Sequence, residues 1–427
     1  MSTDRVLATY LIETPHRVED AADALAGEQS SGTFTQVPGE TEELRERFLA
    51  RVERIEELET VEDPSLPGAL PADDLGRYRR AEVTVSWSLE NMGTNLPTLL
   101  STVSGNLSEL RELSGLRLLD IELPPAFADA HPGPRFGIQG TRELVGVYGG
   151  PVIGTIIKPS VGLSPRQTAE LVRDLAEGGI DFIKDDELMA NPPHSPLEER
   201  VEAVMGVINE VAERTGKKVM YAFNITDDLD AMLRHHETVL NAGGTCVMVS
   251  VNSVGLVGVS HLRRHAELPI HGHRNGWGLL TRYPYLGMEF AAYQKLWRLA
   301  GVDHLHVNAL QSKFWEPDES VVRSIESCLR PMFADDDRAM PVLSSGQWGG
   351  QAPDTYRLTG STDYIYLAGA GIVAHPGGPG AGVTAIRQAW EAAVEGILLR
   401  EYAEDHRELM QSLEKFGKLR RAADRGQ

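Results

Sequence analysis

The run Lys184-Asp185-Asp186-Glu187 places three carboxylates side by side in the sequence. Neighbouring carboxylates repel one another unless a positive charge lies among them, and a hard divalent cation with oxygen ligands supplies one. The ammonium group of Lys184 is not a metal ligand, but addition of CO2 to its amine would make a carbamate with anionic oxygens. The run therefore indicates a divalent-metal site. The alternative is a plain loop in which Lys184 pairs with the acids.

Two His-x-His pairs, His271 with His273 and His304 with His306, would carry their rings on the same side of a strand. Such rings can bind a metal, act as general bases or contact phosphate. A buried structural histidine is the alternative, and it applies most to His271 and His304. His273 is followed by Arg274, which favours a place in a site.

Other polar and glycine residues follow apolar segments elsewhere in the chain. Lys158 ends one such segment, and Ser344, Ser345 and Gly346 end another. The glycine-rich stretch 368–382 follows a third, and its backbone N–H groups could bind a phosphate. Glycine runs are also common in ordinary loops, so this stretch carries little weight alone.

From about residue 138 the sequence alternates between apolar segments and helical segments. Eight segments are typical of buried strands: VIGTIIKP, DFIKDD, VMYAFNIT, CVMVSVN, PIHGHR, HLHVNA, PVLSSG and YIYLAG. Eight strands, each followed by a helix, predict that residues 138–427 form an α/β domain, a (β/α)8 barrel with C-terminal helices. A doubly wound sheet is the alternative. In a barrel the chemistry lies at the C-terminal strand ends, where the polar residues fall.

Residues 1–123 are predicted to form a separate α+β domain. Strands are expected at 6–12 and 81–87, where apolar residues alternate, and in the segment LRLLDIEL. One amphipathic helix is expected from Leu44 to Leu58. The stretch 124–137, rich in proline and glycine, is the expected linker.

Composition excludes several classes of protein. The 427 residues carry a net charge of -21, which argues against binding to nucleic acid. Cys246 and Cys328 are the only cysteines, so a disulfide framework is excluded. We find no signal peptide and no apolar run that could span a bilayer, and therefore expect a cytoplasmic protein without membrane partners.

Several segments resemble, in order, the signature sequences of the ribulose-bisphosphate carboxylase (RuBisCO) large chain. They are EQSSGTFT, SGN around Asn106, GTIIKPSVGLS, GGIDFIKDDE, HGHRNG, HLHVN, SSG and the glycine stretch before HPGG. The resemblance extends from about residue 5 to 400. It implies a ferredoxin-like N-terminal domain, a (β/α)8 barrel, and a homodimer in which each N-terminal domain completes the partner's active site.

The resemblance also implies a role for each matching residue. The implied metal ligands, with Mg2+ as cofactor, are Lys184 as its carbamate, Asp186 and Glu187. The implied catalytic residues are Lys158, an acid–base lysine near an enediolate, together with Lys184 and His273. One end of the substrate would contact Arg274, His306 and Ser344, and a phosphate at the other end would contact Thr33, Lys313, Gly346 and Gly369. Glu28 and Asn106 would reach in from the second subunit. Arg274, Lys313 and His306 would form a cationic set.

Departures from the carboxylases argue against CO2 fixation on ribulose bisphosphate. Ser160 replaces a second lysine, Trp277 a histidine, Phe34 a tryptophan and Ala370 a glycine. The loop before Lys313 reads NALQS, without the glycine of the carboxylases. The metal triad is intact, so the chain is expected to be an enzyme. It resembles the RuBisCO-like proteins of form IV.

Within form IV, HGHRNGW, VDHLHVN and SSGQWGGQAP are most similar to the subgroup that decarboxylates 3-oxo-isoapionate 4-phosphate in apiose catabolism. The implied activity is a magnesium-dependent carbon–carbon lyase that yields a tetrulose phosphate. One alternative is the methionine-salvage enolase acting on 2,3-diketo-5-methylthiopentyl 1-phosphate, or a related isomerase. Another is a non-catalytic binding or regulatory protein. A zinc amidohydrolase is disfavoured because its His-x-His pair precedes the carbamylated lysine.

Overall fold

The computed structural model describes residues 4–31, 38–73 and 76–424, with side chains up to residue 418. The chain divides into two compact units. The first comprises residues 1–132 and 276–300, and the second comprises residues 133–275 and 301–427. The change at residue 133 falls within the predicted linker. The return of residues 276–300 to the first unit has no counterpart in the sequence patterns.

The first unit is an α+β sandwich of the ferredoxin-like type, as predicted. Its antiparallel strands lie in the order β4 (Gly115–Glu122), β1 (Arg5–Thr14), β3 (Tyr78–Ser88) and β2 (Arg51–Val61), and a fifth strand, Leu286–Met288, pairs in parallel with β4. Buried and half-buried side chains alternate along the first part of β1, which explains why its sequence pattern was informative. The elements are β1 (Arg5–Thr14), α1 (Val18–Glu28), α2 (Glu42–Phe48), β2 (Arg51–Val61), β3 (Tyr78–Ser88), α3 (Leu96–Ser104), β4 (Gly115–Glu122) and α4 (Ala126–Ala130).

The predicted single helix from Leu44 to Leu58 is wrong beyond Phe48. Helix α2 ends there, and β2 begins at Arg51 and pairs with β3. Within the described sheet β2 is an edge strand without a fully buried residue, and two register shifts interrupt its pairing. A strand that buries little and bulges twice lacks the two-residue alternation by which strands are identified in sequence.

The second unit is a parallel (β/α)8 barrel, which confirms the predicted fold. Its strands are β5 (Val152–Ile156), β6 (Phe182–Lys184), β7 (Met220–Asn224), β8 (Cys246–Ser250), β9 (Ile270–His273), β11 (His304–His306), β12 (Met340–Leu343) and β13 (Ile365–Leu367), while β10 is Leu286–Met288 of the first unit. Within the described residues of the second unit, these eight strands close in the order β11-β12-β13-β5-β6-β7-β8-β9.

Helices separate consecutive barrel strands and continue beyond the last one. They are α5 (Gly137–Val145), α6 (Pro165–Glu177), α7 (Leu197–Thr215), α8 (Leu229–Asn241), α9 (Val251–His265), α12 (Asp318–Leu329), α13 (Ala352–Thr359), α14 (Gly369–Val373), α15 (Pro379–Glu395), α16 (Leu399–Tyr402) and α17 (Arg407–Asp424), with α10 (Trp277–Thr281) and α11 (Phe290–Leu299) in the first unit. Across the described residues, every helix is too short or too polar to cross a membrane.

Apolar side chains of several strands and α5 form a core cluster in the second unit. Its members include Val152, Phe182, Met248 and Leu367. The strands β9 and β11 contribute His271 and His304 instead, both fully buried, and the ring of His271 stacks on Phe182 at 5.2 Å between centroids. The barrel interior is therefore apolar on most sides and lined by imidazole on one.

Candidate active site

Lys184 is the last residue of β6, and its side chain is only 1% exposed. Its Nζ donates to the Asp185 carbonyl at 2.7 Å and lies 3.6 Å from Glu187 Oε2. Burial lowers the pKa of Lys184, although the charges of the neighbouring carboxylates act in the opposite direction. The neutral amine, which is the form that can add CO2, is therefore favoured relative to an exposed lysine.

Lys158 follows β5 and contacts the same acidic group. Its Nζ lies 2.7 Å from Asp186 Oδ2 and donates to Ser160 Oγ at 2.7 Å. Burial alone would raise the pKa of Asp186, but the Lys158 hydrogen bond and the charges of Lys158 and Lys184 more than offset it, so the pKa is lowered. Ser160, at the position of a second lysine in the carboxylases, thus holds the remaining lysine in place.

Asp185 points away from this cluster, and this corrects the idea that all three carboxylates need a shared cation. Arg200 Nη2 lies 3.2 Å from Asp185 Oδ2, and Tyr221 donates to Oδ1 at 2.6 Å. Both members of the ion pair are buried. Asp185 therefore has its own counter-charge, and Arg200 is a residue that the sequence patterns missed.

Asn224, at the end of β7, fixes the backbone that carries the two remaining carboxylates. Its Nδ2 donates to the carbonyl oxygens of Asp186 and Glu187, both at 3.2 Å, while its Oδ1 accepts from Thr226. Among the described residues, no group of three His, Cys, Asp or Glu side chains is arranged to bind a metal.

His273 lies beside Glu187 of the Asp186–Glu187 pair. Its Nε2 lies 3.5 Å from Glu187 Oε2, and its ring centroid lies 4.3 Å from that of His306. Burial, together with the Lys184 charge, lowers the pKa of His273 to about 4, so its ring is neutral near pH 7. A neutral imidazole beside Glu187 can accept a proton or donate a hydrogen bond to a substrate hydroxyl.

His306 and Ser344 lie beside His273, and Arg274 follows His273 in the chain. His306 Nδ1 lies 3.1 Å from Ser344 Oγ. Burial, aided by the nearby histidines, lowers the pKa of His306 well below its ordinary value, so the expectation of a cationic His306 is wrong. Arg274 pairs with Glu316 at 3.2 Å, and both side chains are 4% exposed.

Glu316 is a second residue that sequence reasoning missed. Its Oε2 also accepts from Asn308, and its Oε1 accepts from Ser320 at 2.9 Å. These contacts fix the carboxylate that orients Arg274. Glu316 lies in a loop between β11 and α12, ten residues after the His-x-His pair, and no spacing rule connects it to Arg274.

The two glycines among the implied phosphate residues of the second unit have different neighbours. A Cβ built at Gly346 would lie 3.7 Å from Lys313 Cβ, so these two residues are adjacent. Lys313 is exposed. A Cβ built at Gly369 would instead lie 3.9 Å from Lys158 Cε. Gly346 has φ of +75°, a conformation that favours glycine.

The residues implied to serve a second subunit lie in the first unit. Glu28 ends α1, and Asn106 is exposed beyond α3. The Gln29 side-chain amide lies 2.8 Å from the Asn106 backbone nitrogen and 3.1 Å from Ser101 O, which ties the two places together. Thr33 and Phe34 lie outside the described residues.

A ferredoxin-like unit and a (β/α)8 barrel with a buried lysine–carboxylate cluster define a RuBisCO-type chain, and comparison with known proteins agrees. Residues 1–127 match the ribulose bisphosphate carboxylase large chain, N-terminal domain, and residues 137–416 match its catalytic domain. The chain belongs to the RuBisCO large-chain family.

Relatives place the chain among the RuBisCO-like proteins. It is 55% identical to the 3-oxo-isoapionate-4-phosphate transcarboxylase/hydrolase of Xanthobacter autotrophicus, over 94% of this chain and 96% of that protein. It is 52% identical to the 3-oxo-isoapionate-4-phosphate decarboxylase of Rhizobium etli, over 96% and 98%. The crystal structure of a rubisco-like protein from Burkholderia fungorum matches with a TM-score of 0.90 and 49% identity, over 96% and 100%.

Proposed function

We propose that this protein is a magnesium-dependent lyase that decarboxylates 3-oxo-isoapionate 4-phosphate to a tetrulose phosphate. The observation that carries the proposal is the meeting of Lys158 and the buried Lys184 on the Asp186–Glu187 pair at the ends of β5 and β6. The relatives that act on this substrate, and the absence of the second carboxylase lysine at Ser160, support the choice.

The donor set fits Mg2+. The carboxylates of Asp186 and Glu187 are hard oxygen ligands, and the pKa of Lys184, lowered by burial, suits carbamate formation. These three residues would hold the ion. When bound, the ion supplies a Lewis acid that stabilises negative charge on the substrate oxygens.

Decarboxylation of a β-keto acid breaks the bond between the α-carbon and the carboxylate. CO2 leaves, the electron pair stays on the α-carbon as an enolate, and one proton must be added there. Lys158 is the proposed proton donor, because its Nζ is partly exposed and is positioned by Asp186 and Ser160. His273 is proposed to contact a substrate hydroxyl as a neutral ring.

Cationic side chains and backbone N–H groups are proposed to bind the negatively charged groups of the substrate. Arg274 and Ser344 are proposed to contact the end of the substrate near His306. Thr33, Lys313, Gly346 and Gly369 are proposed to hold the phosphate at the other end, where backbone N–H groups bind anions.

We further propose a homodimer in which Glu28 and Asn106 complete the partner's site. Co-expression of Asn106→Ala with Glu187→Gln tests it, because a mixed dimer would regain one intact site. Random assortment predicts about one quarter of the wild-type activity. Activity no greater than that of the separate variants would contradict shared sites.

The transcarboxylase/hydrolase activity of the Xanthobacter relative is a second candidate, favoured by its 55% identity. Both activities begin on the same compound and differ in the fate of the carboxyl carbon. The test is 13C NMR in heavy water, with enzyme, Mg2+, bicarbonate and 3-oxo-isoapionate 4-phosphate labelled at the carboxyl.

Labelled CO2 with a deuterated tetrulose phosphate is the expected result. Label retained in an acid product would favour the second candidate. Deuterium exchange without carbon loss, or turnover of 2,3-diketo-5-methylthiopentyl 1-phosphate instead, would point to an enolase. No turnover of either compound, with binding retained, would contradict an enzyme of this class.

A further inference from the structure

A continuous chain of five polar side chains crosses the second unit. Thr141 Oγ1 lies 2.8 Å from His304 Nε2, and His304 Nδ1 lies 3.3 Å from His271 Nδ1. His271 Nε2 then lies 2.8 Å from His306 Nε2, and His306 Nδ1 lies 3.1 Å from Ser344 Oγ. The chain begins on α5 and ends at Ser344, beside the proposed substrate.

The three rings in this chain are neutral. His271 and His304 have no exposed surface, and His306 is 4% exposed. Burial lowers the pKa of His304 to about 3 and holds the pKa values of His271 and His306 well below their ordinary value. Each ring therefore has one N–H and one bare nitrogen, and each N···N contact needs one of each.

The hydroxyl of Thr141 sets the direction of the chain. It donates to the carbonyl of Gly137, one turn earlier in α5, and so faces His304 with a lone pair. His304 must then carry its proton on Nε2 and accept at Nδ1. It follows that His271 is protonated on Nδ1, that His306 is protonated on Nε2, and that His306 Nδ1 accepts from the Ser344 hydroxyl. In the reverse direction Thr141 would donate to His304 and lose its hydrogen bond to the Gly137 carbonyl, so the reverse arrangement has one hydrogen bond fewer.

We propose that Thr141 is a positioning residue that, through the three neutral histidines, commits the Ser344 proton to His306. Ser344 Oγ then faces the site with lone pairs only. It selects a ligand group that donates a hydrogen bond, which is a substrate hydroxyl, and disfavours a carboxylate or phosphate oxygen at that point. The selection of a hydroxyl rests on the proposed function, whereas the direction of the chain does not.

The direction of the chain is testable without substrate by 15N NMR of histidine-labelled protein, with rings assigned by His→Gln variants. The expected protonated nitrogens are Nε2 of His304, Nδ1 of His271 and Nε2 of His306. Thr141→Val keeps the side-chain shape but leaves His304 Nε2–H without an acceptor. Because a buried orphan N–H is costlier than a bare lone pair, all three tautomers should reverse together.

Two variants separate this effect from a general loss of packing. Thr141→Ser retains the hydroxyl and should keep the wild-type tautomers. Thr355→Val removes an equally buried hydroxyl of α13 that donates to Gln351 O, just before that helix, and does not touch the chain of histidines. It should also keep the wild-type tautomers. A wild-type His306 protonated on Nδ1, or a His306 unchanged in Thr141→Val, would overturn the proposed direction.

Kinetics then test selection by Ser344. Thr141→Val should raise KM for the hydroxylated substrate about 3- to 10-fold with a smaller change in kcat, and Thr141→Ser should restore it. Reversed tautomers with an unchanged KM would overturn the selective role of Ser344. Absence of turnover by the wild type contradicts the proposed function alone, since the tautomers decide the direction of the chain independently.

Discussion

The β5–β6 wall of the barrel and the β9–β11 wall both bury titratable side chains, but in opposite states. On the first wall, Lys158, Asp186 and Glu187 lie within ion-pair distance of opposite charges. On the second wall, His271 and His304 have only other neutral polar groups as hydrogen-bond partners in the described structure, and burial keeps them neutral.

The difference shows that burial alone does not decide ionisation. Burial penalises the charged form on both walls: it lowers the pKa values of Lys184 and His304 and opposes the lowering of the pKa of Asp186. Where a counter-charge is built in, as at Asp186, the charge persists. Where none is present, as at His304, the proton is lost. One wall is thus suited to bind a cation and move a proton, and the other to hold hydrogen bonds in one fixed direction.

The largest effect should follow from removing a charge from the first wall. Glu187→Gln keeps the shape but deletes an anionic metal ligand, and turnover should fall by roughly 1,000-fold or more, since metal stabilisation is worth several kcal/mol. Steady-state decarboxylation with varied Mg2+ measures it. Glu202→Gln on the exposed face of α7 is the matched control. Substantial activity in Glu187→Gln would contradict the proposal that the first wall binds the metal ion.

Removing the positive charge of Lys158 should lower turnover nearly as much. Lys158→Met should lower kcat by about 10²- to 10⁴-fold, as loss of a general acid does, while Mg2+ affinity is retained. Single-turnover kinetics and calorimetric Mg2+ titration separate the two. Equal loss of turnover and metal binding would mean that Lys158 serves the ion and not the proton.

The buried histidine His304 of the second wall should make the free energy of unfolding depend on pH. The pKa of His304 is about 3 when folded, below its unfolded value, so its contribution is present above about pH 6.5 and is lost as pH falls towards 3. Between pH 7 and 5 this site should reduce the free energy of unfolding by about 2 kcal/mol.

Urea unfolding of the wild type and of His304→Gln at both pH values measures this contribution. The variant should lose about 2 kcal/mol less than the wild type over the same interval. Equal losses of unfolding free energy in the two proteins would show that the pKa of His304 is not lowered by folding.

The smallest effect should come from Ser160, which only positions a charge. Ser160→Ala removes one hydrogen bond to Lys158 Nζ and should lower kcat about 2- to 10-fold. The pH profile of kcat should shift with it, and Ser160→Thr should restore part of the rate. An unchanged profile would leave Asp186 as the sole positioning partner of Lys158.

Much of this architecture could be predicted because its signals are local. The barrel strands are short apolar runs that end in polar residues, and the Lys184–Glu187 run is contiguous in sequence. The strand β2 could not be predicted, because an exposed, bulged edge strand has no periodic burial.

The partners of the site residues escaped prediction for a different reason. Arg200 neutralises Asp185 from a helix fifteen residues away, and Glu316 orients Arg274 across 42 residues. Thr141 reaches His304 across 163 residues. Such pairings depend on how the barrel closes, and nothing in the local sequence around either partner records them.

The strand Leu286–Met288 has a consequence for the order of synthesis. It pairs with β4 at Leu116–Leu118. Because five of the barrel strands precede Leu286–Met288 in the chain, the five-stranded sheet can be completed only after those five strands have been synthesised. On the ribosome, the N-terminal unit therefore emerges with one edge open and is completed only late. A fragment ending at residue 132 would keep that edge exposed and be prone to pair with other chains.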